Sequence, residues 1–243
     1  MKRNSLVYFT TRWVAQKTFS LFYRIKIQPG ESIPAEGPVV ILPKHQYWTD
    51  IPLVSLSFPF PLHFIAKKEL FRYPVIKTFL SLLGGIPLDR ERSIRTLNSF
   101  RHLLARLKDQ ECIVLFPEGT YFRGVVGAGK SRLVQMILKC QSSFERPIPF
   151  VPVGIRYGER SGWRRRVEIC IGSPLFADGE SDASDLTRRV MSEISHLCRM
   201  PQENENPKHQ VVDMKHAQIT AEQEPGRSQG AEAFLPIVDT REL

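Results

Sequence analysis

A histidine five residues ahead of an aspartate, His45…Asp50, is the pair in this chain best suited to moving a proton. An imidazole held by a carboxylate through one ring nitrogen keeps the other free to take a hydrogen from a hydroxyl. On a single helix, positions five apart diverge by roughly 140°, so the two meet only if His45 lies off the helix and Asp50 reaches back. A loop histidine bonded to a helix cap is the plainer account of the same spacing. Other charged groups sit on turns: Arg90 after Gly84-Gly85-Ile86-Pro87-Leu88-Asp89, and Glu118 in Phe116-Pro117-Glu118-Gly119-Thr120. A guanidinium offers a planar, permanently charged fork that fits a phosphate, although Arg90 could equally pair with Asp89 or Glu91 at the surface. Glu118 can bind a hydroxyl, orient a neighbouring cation, or cap amides of its own turn.

The elements around these residues bring them to one place. Residues 38–42, Pro-Val-Val-Ile-Leu, read as a buried strand, and Asp50 with Pro52 close behind signals a helix start. His45 then falls in a strand-to-helix loop. Further strands are expected at 24–28, 62–66, 86–88, 112–116, 148–156 and 166–171, and helices at 4–23, 50–57, 74–83, 94–107, 131–139 and 184–198. Strands alternating with helices make an α/β sheet protein. Three strands end at Leu42, Leu88 and Phe116, just before His45, Arg90 and Glu118. Ligands of open α/β sheets collect outside such carboxyl ends, so one site fed by three strands accounts for all three segments.

In their order and separation, His45…Asp50, Gly84–Arg90, Phe116–Thr120 and Ile148-Pro149-Phe150-Val151-Pro152-Val153-Gly154 resemble the motifs of the glycerolipid acyltransferase family, most of all its 1-acylglycerol-3-phosphate acyltransferases. The similarity runs over roughly residues 38–175. It implies a mixed central sheet flanked by helices, and a His-x4-Asp dyad in which His45 is the base and Asp50 its partner. It implies acyl transfer from acyl-CoA or acyl carrier protein to the free hydroxyl of a lysophospholipid, with no cofactor. It assigns Arg90 to the acceptor phosphate and Glu118, Gly119 and Thr120 to substrate binding, and Lys67 matches another family segment, Ala66–Leu70. Most members carry an arginine after the threonine; here Tyr121 stands there and Arg123 follows, which leaves open whether Arg123 takes that role. Residues 124–131 match the phosphate-loop pattern letter for letter, but seven residues, 117–123, separate that stretch from the end of its strand. Lys130 also matches a basic position of the family, and we read it as a phosphate-contacting lysine without a nucleotide. No serine or cysteine lies in a nucleophile-elbow context, which favours direct transfer without an acyl-enzyme.

Length and charge fit this reading. A chain of 243 residues can bury one full core, and a formal charge of +9 favours anionic partners. No zinc-finger, RNA-binding or basic-zipper pattern supports nucleic acid as the partner. The four cysteines, Cys112, Cys140, Cys170 and Cys198, form neither a disulfide framework nor a metal pattern and read as buried thiols. Charged Arg12 and Lys17 interrupt the N-terminal apolar stretch, and Pro52, Pro59 and Pro61 interrupt the run from Ile51 to Ala66, so neither a signal peptide nor a spanning helix is expected. Residues 1–27 combine Phe9, Trp13, Phe19 and Phe22 with cations and no acid, the composition of a helix lying on an anionic membrane surface. A helix packed on the sheet is the alternative. The expected organisation is a docking segment over 1–27, an acyltransferase domain over 28–200 and a disordered polar tail over 201–243, at the cytoplasmic face of a membrane. His63, His102 and His196 have no carboxylate at a useful spacing, and Trp163-Arg164-Arg165-Arg166 is either a headgroup-contacting hairpin or a solvated basic turn.

Overall fold

The strand Val39–Pro43 (β2) carries no polar side chain, and every one of its residues is buried. Such a strand must be covered on both faces, which is the rule for the middle of a parallel sheet. The computed structural model describes residues 4–30, 37–88 and 94–203, with Lys67, Leu88 and residues 94–99 described by backbone alone. In chain order the elements are α1 (Ser5–Phe22), β1 (Tyr23–Gln28), β2, α2 (Asp50–Ser57), β3 (Leu62–Lys67), α3 (Pro74–Leu82), β4 (Ile86–Leu88), α4 (Ile94–Lys108), β5 (Cys112–Val114), α5 (Ser131–Lys139), β6 (Phe150–Ser161), β7 (Arg164–Ile171) and α6 (Ala183–Cys198).

The seven strands form one sheet in the order β1-β7-β6-β2-β5-β3-β4. Every neighbouring pair is parallel except the β6–β7 hairpin, so β1 and β7 run against the other five. The sheet is therefore mixed, as expected. Alternate residues of β2 serve opposite faces. Val39 and Ile41 pack with Phe19, Leu53, Val54 and Phe58 under α1 and α2. Val40 and Leu42 pack with Leu103, Ile137 and Val190 from α4, α5 and α6. Burying an aliphatic side chain of this size is worth roughly 1.5–3 kcal/mol. The carboxyl ends of β2, β3, β4, β5 and β6 all point to one edge of the sheet, where the candidate motifs emerge.

The strand expected over 24–28 forms as β1 and pairs with β7, so residues 23–27 of the expected docking segment belong to the sheet instead. The helix itself packs on the sheet through one face and leaves another exposed. Tyr8 and Phe19 are buried, and the Tyr8 hydroxyl accepts from the Leu62 amide at 3.1 Å. At about 100° per residue, Leu6, Phe9 and Trp13 fall within roughly 60° of one another and roughly 100–160° away from Tyr8. Those three stay exposed, Leu6 by 78% and Trp13 by 60%. The Asn4 amide donates to Leu82 O, which sets the start of α1 beside the end of α3, a helix on which Val75, Ile76 and Phe79 are exposed as well. Among the described residues no helix is long and apolar enough to cross a membrane. Of the four thiols, Cys198 is buried and the other three are half-buried. Residues 201–203, the start of the expected disordered tail, are hydrogen-bonded to Val126 instead, and the rest of that tail lies outside the described residues.

Candidate active site

Asp50 is the first residue of α2, and Pro52 sits in the same turn, where its missing N–H is not needed. The carboxylate turns back over the loop. Its Oδ2 meets His45 Nδ1 at 3.1 Å and accepts from the Gln46 and Tyr47 amides at 2.5 and 2.7 Å. Its Oδ1 accepts from the Tyr157 hydroxyl at 2.7 Å. Asp50 is fully buried, and His45 retains 9% exposure. A carboxylate fixed by these donors favours the tautomer with hydrogen on Nδ1, which leaves Nε2 as a proton acceptor. The imidazole stacks on Phe116 at a centroid distance of 3.9 Å and under Tyr121 at 4.3 Å. Burial first, and the charge of Asp50 second, push the Tyr157 phenol far above its ordinary value, so it stays a donor.

Behind the histidine lies an ion pair that the sequence did not disclose. Lys44 is fully buried, and its Nζ reaches Glu118 Oε1 at 2.7 Å and Oε2 at 3.0 Å. It also donates to Phe122 O at 2.8 Å and to His45 O at 3.2 Å. Glu118 accepts in turn from the His45 and Gly127 amides, each at 2.8 Å. The pair thus grips the peptide of His45 at both its nitrogen and its oxygen. Of the roles weighed for Glu118, orienting a neighbouring cation is the one this geometry fits: its carboxylate is 1% exposed and turned to internal donors rather than to a ligand. Burial raises the Glu118 carboxyl from its ordinary value of 4.5, against the pull of Lys44 and of the two amides. A lysine one residue beyond an unbroken apolar strand was the available signal, because a buried ammonium requires a partner.

The remaining expectations fall around this core. Gly119 has φ +71°, and a Cβ there would stand 3.1 Å from Lys130 Nζ, so the lysine chain lies across the turn while Thr120 is exposed beside it. The loop over 124–131 starts at no strand, and its Gly127 amide is directed at Glu118. A Cβ at Gly127 would meet the Phe122 ring at 2.5 Å. The Arg123 guanidinium rests 4.9 Å from the Tyr47 ring. The basic run of the hairpin divides: Arg164 covers Trp163, Arg165 covers Tyr157, and Arg166 pairs with Glu168. Arg90 lies outside the described residues, as does the side chain of Lys67. Gln46, Tyr47, Thr49 and Tyr157 were missed as well. Tyr157 is fixed by strand pairing across the sheet, for which the sequence near His45 holds no sign.

A strand-to-helix loop carrying a His–Asp dyad at the carboxyl edge of a mixed sheet is the arrangement of an acyl-transfer enzyme, and the comparisons agree. Residues 24–156 match the Acyltransferase family model, and the chain belongs to that family. It is 33% identical over 97 residues to 1-acyl-sn-glycerol-3-phosphate acyltransferase of Bacillus subtilis, a match covering 40% of this chain and 48% of that protein. The chain thus spans about half the length of that relative. It is 34% identical over 193 residues to lyso-ornithine lipid O-acyltransferase of Brucella abortus, covering 67% of this chain and 72% of the other. The crystal structure of the 1-acyl-sn-glycerophosphate acyltransferase PlsC from Thermotoga maritima shares the fold, with a TM-score of 0.55 and 24% identity over 76% of this chain and 78% of that one.

Proposed function

We propose that the protein transfers a fatty acyl group from an acyl thioester, acyl-CoA or acyl carrier protein, to the sn-2 hydroxyl of 1-acylglycerol-3-phosphate, giving phosphatidic acid. The observation that carries this is the His45–Asp50 contact, with Asp50 held by internal donors and His45 at the accessible edge of the sheet. Nε2 of His45 takes the hydroxyl proton as that oxygen attacks the thioester carbonyl. The C–S bond breaks, and the proton passes on to the departing thiolate. General base catalysis of this kind contributes roughly 10²–10⁴-fold. Arg90 is assigned to the acceptor phosphate, and Lys67, Lys130 and Thr120 to further substrate contacts.

The exposed apolar residues of α1 and α3, together with Trp48 at 67% exposure beside the dyad, suit a peripheral seat on a membrane whose lipids include the acceptor. Anionic lipids would draw the basic chain there, each nearby cation adding about 1 kcal/mol. A second acceptor is favoured by one observation: the match to the Brucella abortus lyso-ornithine lipid enzyme covers more of both chains than the Bacillus match does. The deciding assay offers purified protein an acyl thioester with lysophosphatidate or lyso-ornithine lipid in vesicles and measures thiol release. Turnover that depends on lysophosphatidate supports the first reading; turnover with lyso-ornithine lipid alone replaces it with the second. Vesicle binding without turnover on any lysolipid would make the protein a silent lipid binder.

A further inference from the structure

The dyad carboxylate has one donor from far along the chain. Three of its hydrogen bonds are local, from His45, Gln46 and Tyr47, whereas Tyr157 reaches Oδ1 at 2.7 Å from β6, 107 residues away. A phenol has one hydrogen and an ionised carboxylate only accepts, so that hydrogen goes to Asp50. The Thr49 hydroxyl, 2.7 Å from the same phenol oxygen, must then be the donor in its own contact. Thr49 precedes α2 without capping it through its side chain, so this contact is the evident employment of its hydroxyl. Tyr47 packs edge-on against the Tyr157 ring, and Arg165 covers it at 5.1 Å. The Thr49–Tyr157–Asp50–His45 chain is therefore continuous and directed, each member donating to the next until the carboxylate is reached from both sides.

We propose that Tyr157 is a positioning residue, which fixes the rotation of Asp50 and shares its negative charge, so that Asp50 orients His45 without holding its proton too strongly. The inference rests on the reading of His45 as the base. The groups facing His45 are Asp50 from α2, Tyr121 and Phe116 from the loop after β5, and Glu118, which touches its backbone amide and is already paired with Lys44. Arg123 and Arg165 stand one shell away over Tyr47. Asp50 is the acid on the imidazole ring, so a change in its charge distribution is felt there first.

Without the phenol hydrogen the carboxylate charge concentrates toward Nδ1–H and favours the imidazolium. In Tyr157→Phe the acid limb of the kcat/KM profile should move to higher pH by roughly half a unit to one unit. The rate should fall most on the acid side and least on the alkaline plateau. A merely structural contribution would scale the rate alike at every pH. The test that needs no substrate is a ring-proton NMR titration of His45 in the full chain. The midpoint should rise in Tyr157→Phe, rise less in Thr49→Val, and fall in Asp50→Asn. Thr49→Val keeps the phenol in place and carries the test if Tyr157→Phe does not fold. Midpoints in both Tyr157→Phe and Thr49→Val that coincide with wild type overturn the proposal. A shifted midpoint in a protein that acylates nothing upholds the positioning role and removes the acyl-transfer reading instead.

Discussion

Two regions of this molecule reverse the usual placement of side chains, in opposite directions. Behind β2, Lys44, Asp50 and Glu118 are buried with almost no solvent contact; along α1 and α3, Leu6, Phe9, Trp13, Val75 and Phe79 are exposed. The buried charges are compensated inside the chain, because each oxygen of Asp50 and Glu118 receives a donor within hydrogen-bond distance. Nothing within the described residues compensates the exposed apolar stripe of α1. The difference teaches how to read each: the polar cluster is satisfied within the chain, while the apolar stripe is the surface on which the proposed membrane contact can be tested.

Changes to the two regions should therefore fail in different assays. The largest effect is expected from His45→Ala, which should lose roughly 10²–10⁴-fold in kcat while the protein keeps its thermal transition. Near-wild-type turnover in folded His45→Ala would remove the dyad from the mechanism. Next comes Lys44→Met, which leaves Glu118 buried without its cation and should cost about 3–5 kcal/mol in urea denaturation. Adding Glu118→Gln should restore part of that loss, since it removes the unpaired buried charge while its single amide oxygen still accepts from one of the two amides, His45 or Gly127. No recovery in the double variant would show that the two side chains act independently.

On the other region the signs reverse. Phe9→Ser with Trp13→Ser should weaken partition into anionic vesicles by about tenfold per aromatic, yet move unfolding by under about 0.5 kcal/mol. Unchanged flotation with vesicles would place the membrane contact elsewhere. Removing α1 altogether is the poorer experiment, because Tyr8 and Phe19 belong to the core under the sheet.

The smallest effect tests a carboxylate that belongs to neither region. The hydrogen bond from Arg156, with Arg166 beside it, holds the Glu168 carboxyl below its ordinary value of 4.5. A depressed value in the folded state means stability that is present above the unfolded value and is lost as pH falls through the folded one. Glu168→Gln should lower the melting transition by under about 1 kcal/mol at neutral pH, and the gap to wild type should close on acidification below 4.5. A gap that stayed constant with pH would show that the loss is one of packing rather than charge.

The elements of the fold were legible in the sequence because their signals are local. The unbroken apolar run of β2, the proline after Asp50 and the periodicity of α5 and α6 each sit within a few residues of what they specify. The dyad was legible for the same reason. Its supports, and other pairs made across the sheet, were not. His63 finds Glu111 at 3.0 Å only because β3 and β5 are neighbours, and Tyr157 finds Asp50 only because β6 lies beside β2. Glu118 was assigned to substrate because its partner, Lys44, lies 74 residues away in the chain.

The long reach of these supports bears on how the molecule comes to be active. Lys44 and Glu118 lie 74 residues apart, and Asp50 and Tyr157 lie 107 apart. Contacts of such separation raise the contact order of a fold and slow its formation. A nascent or partly folded chain can hold β2, the His45 loop and α2 and still lack the groups that aim the imidazole. The placement of the imidazole thus depends on β5 and β6 as well as on the loop and helix that carry the dyad.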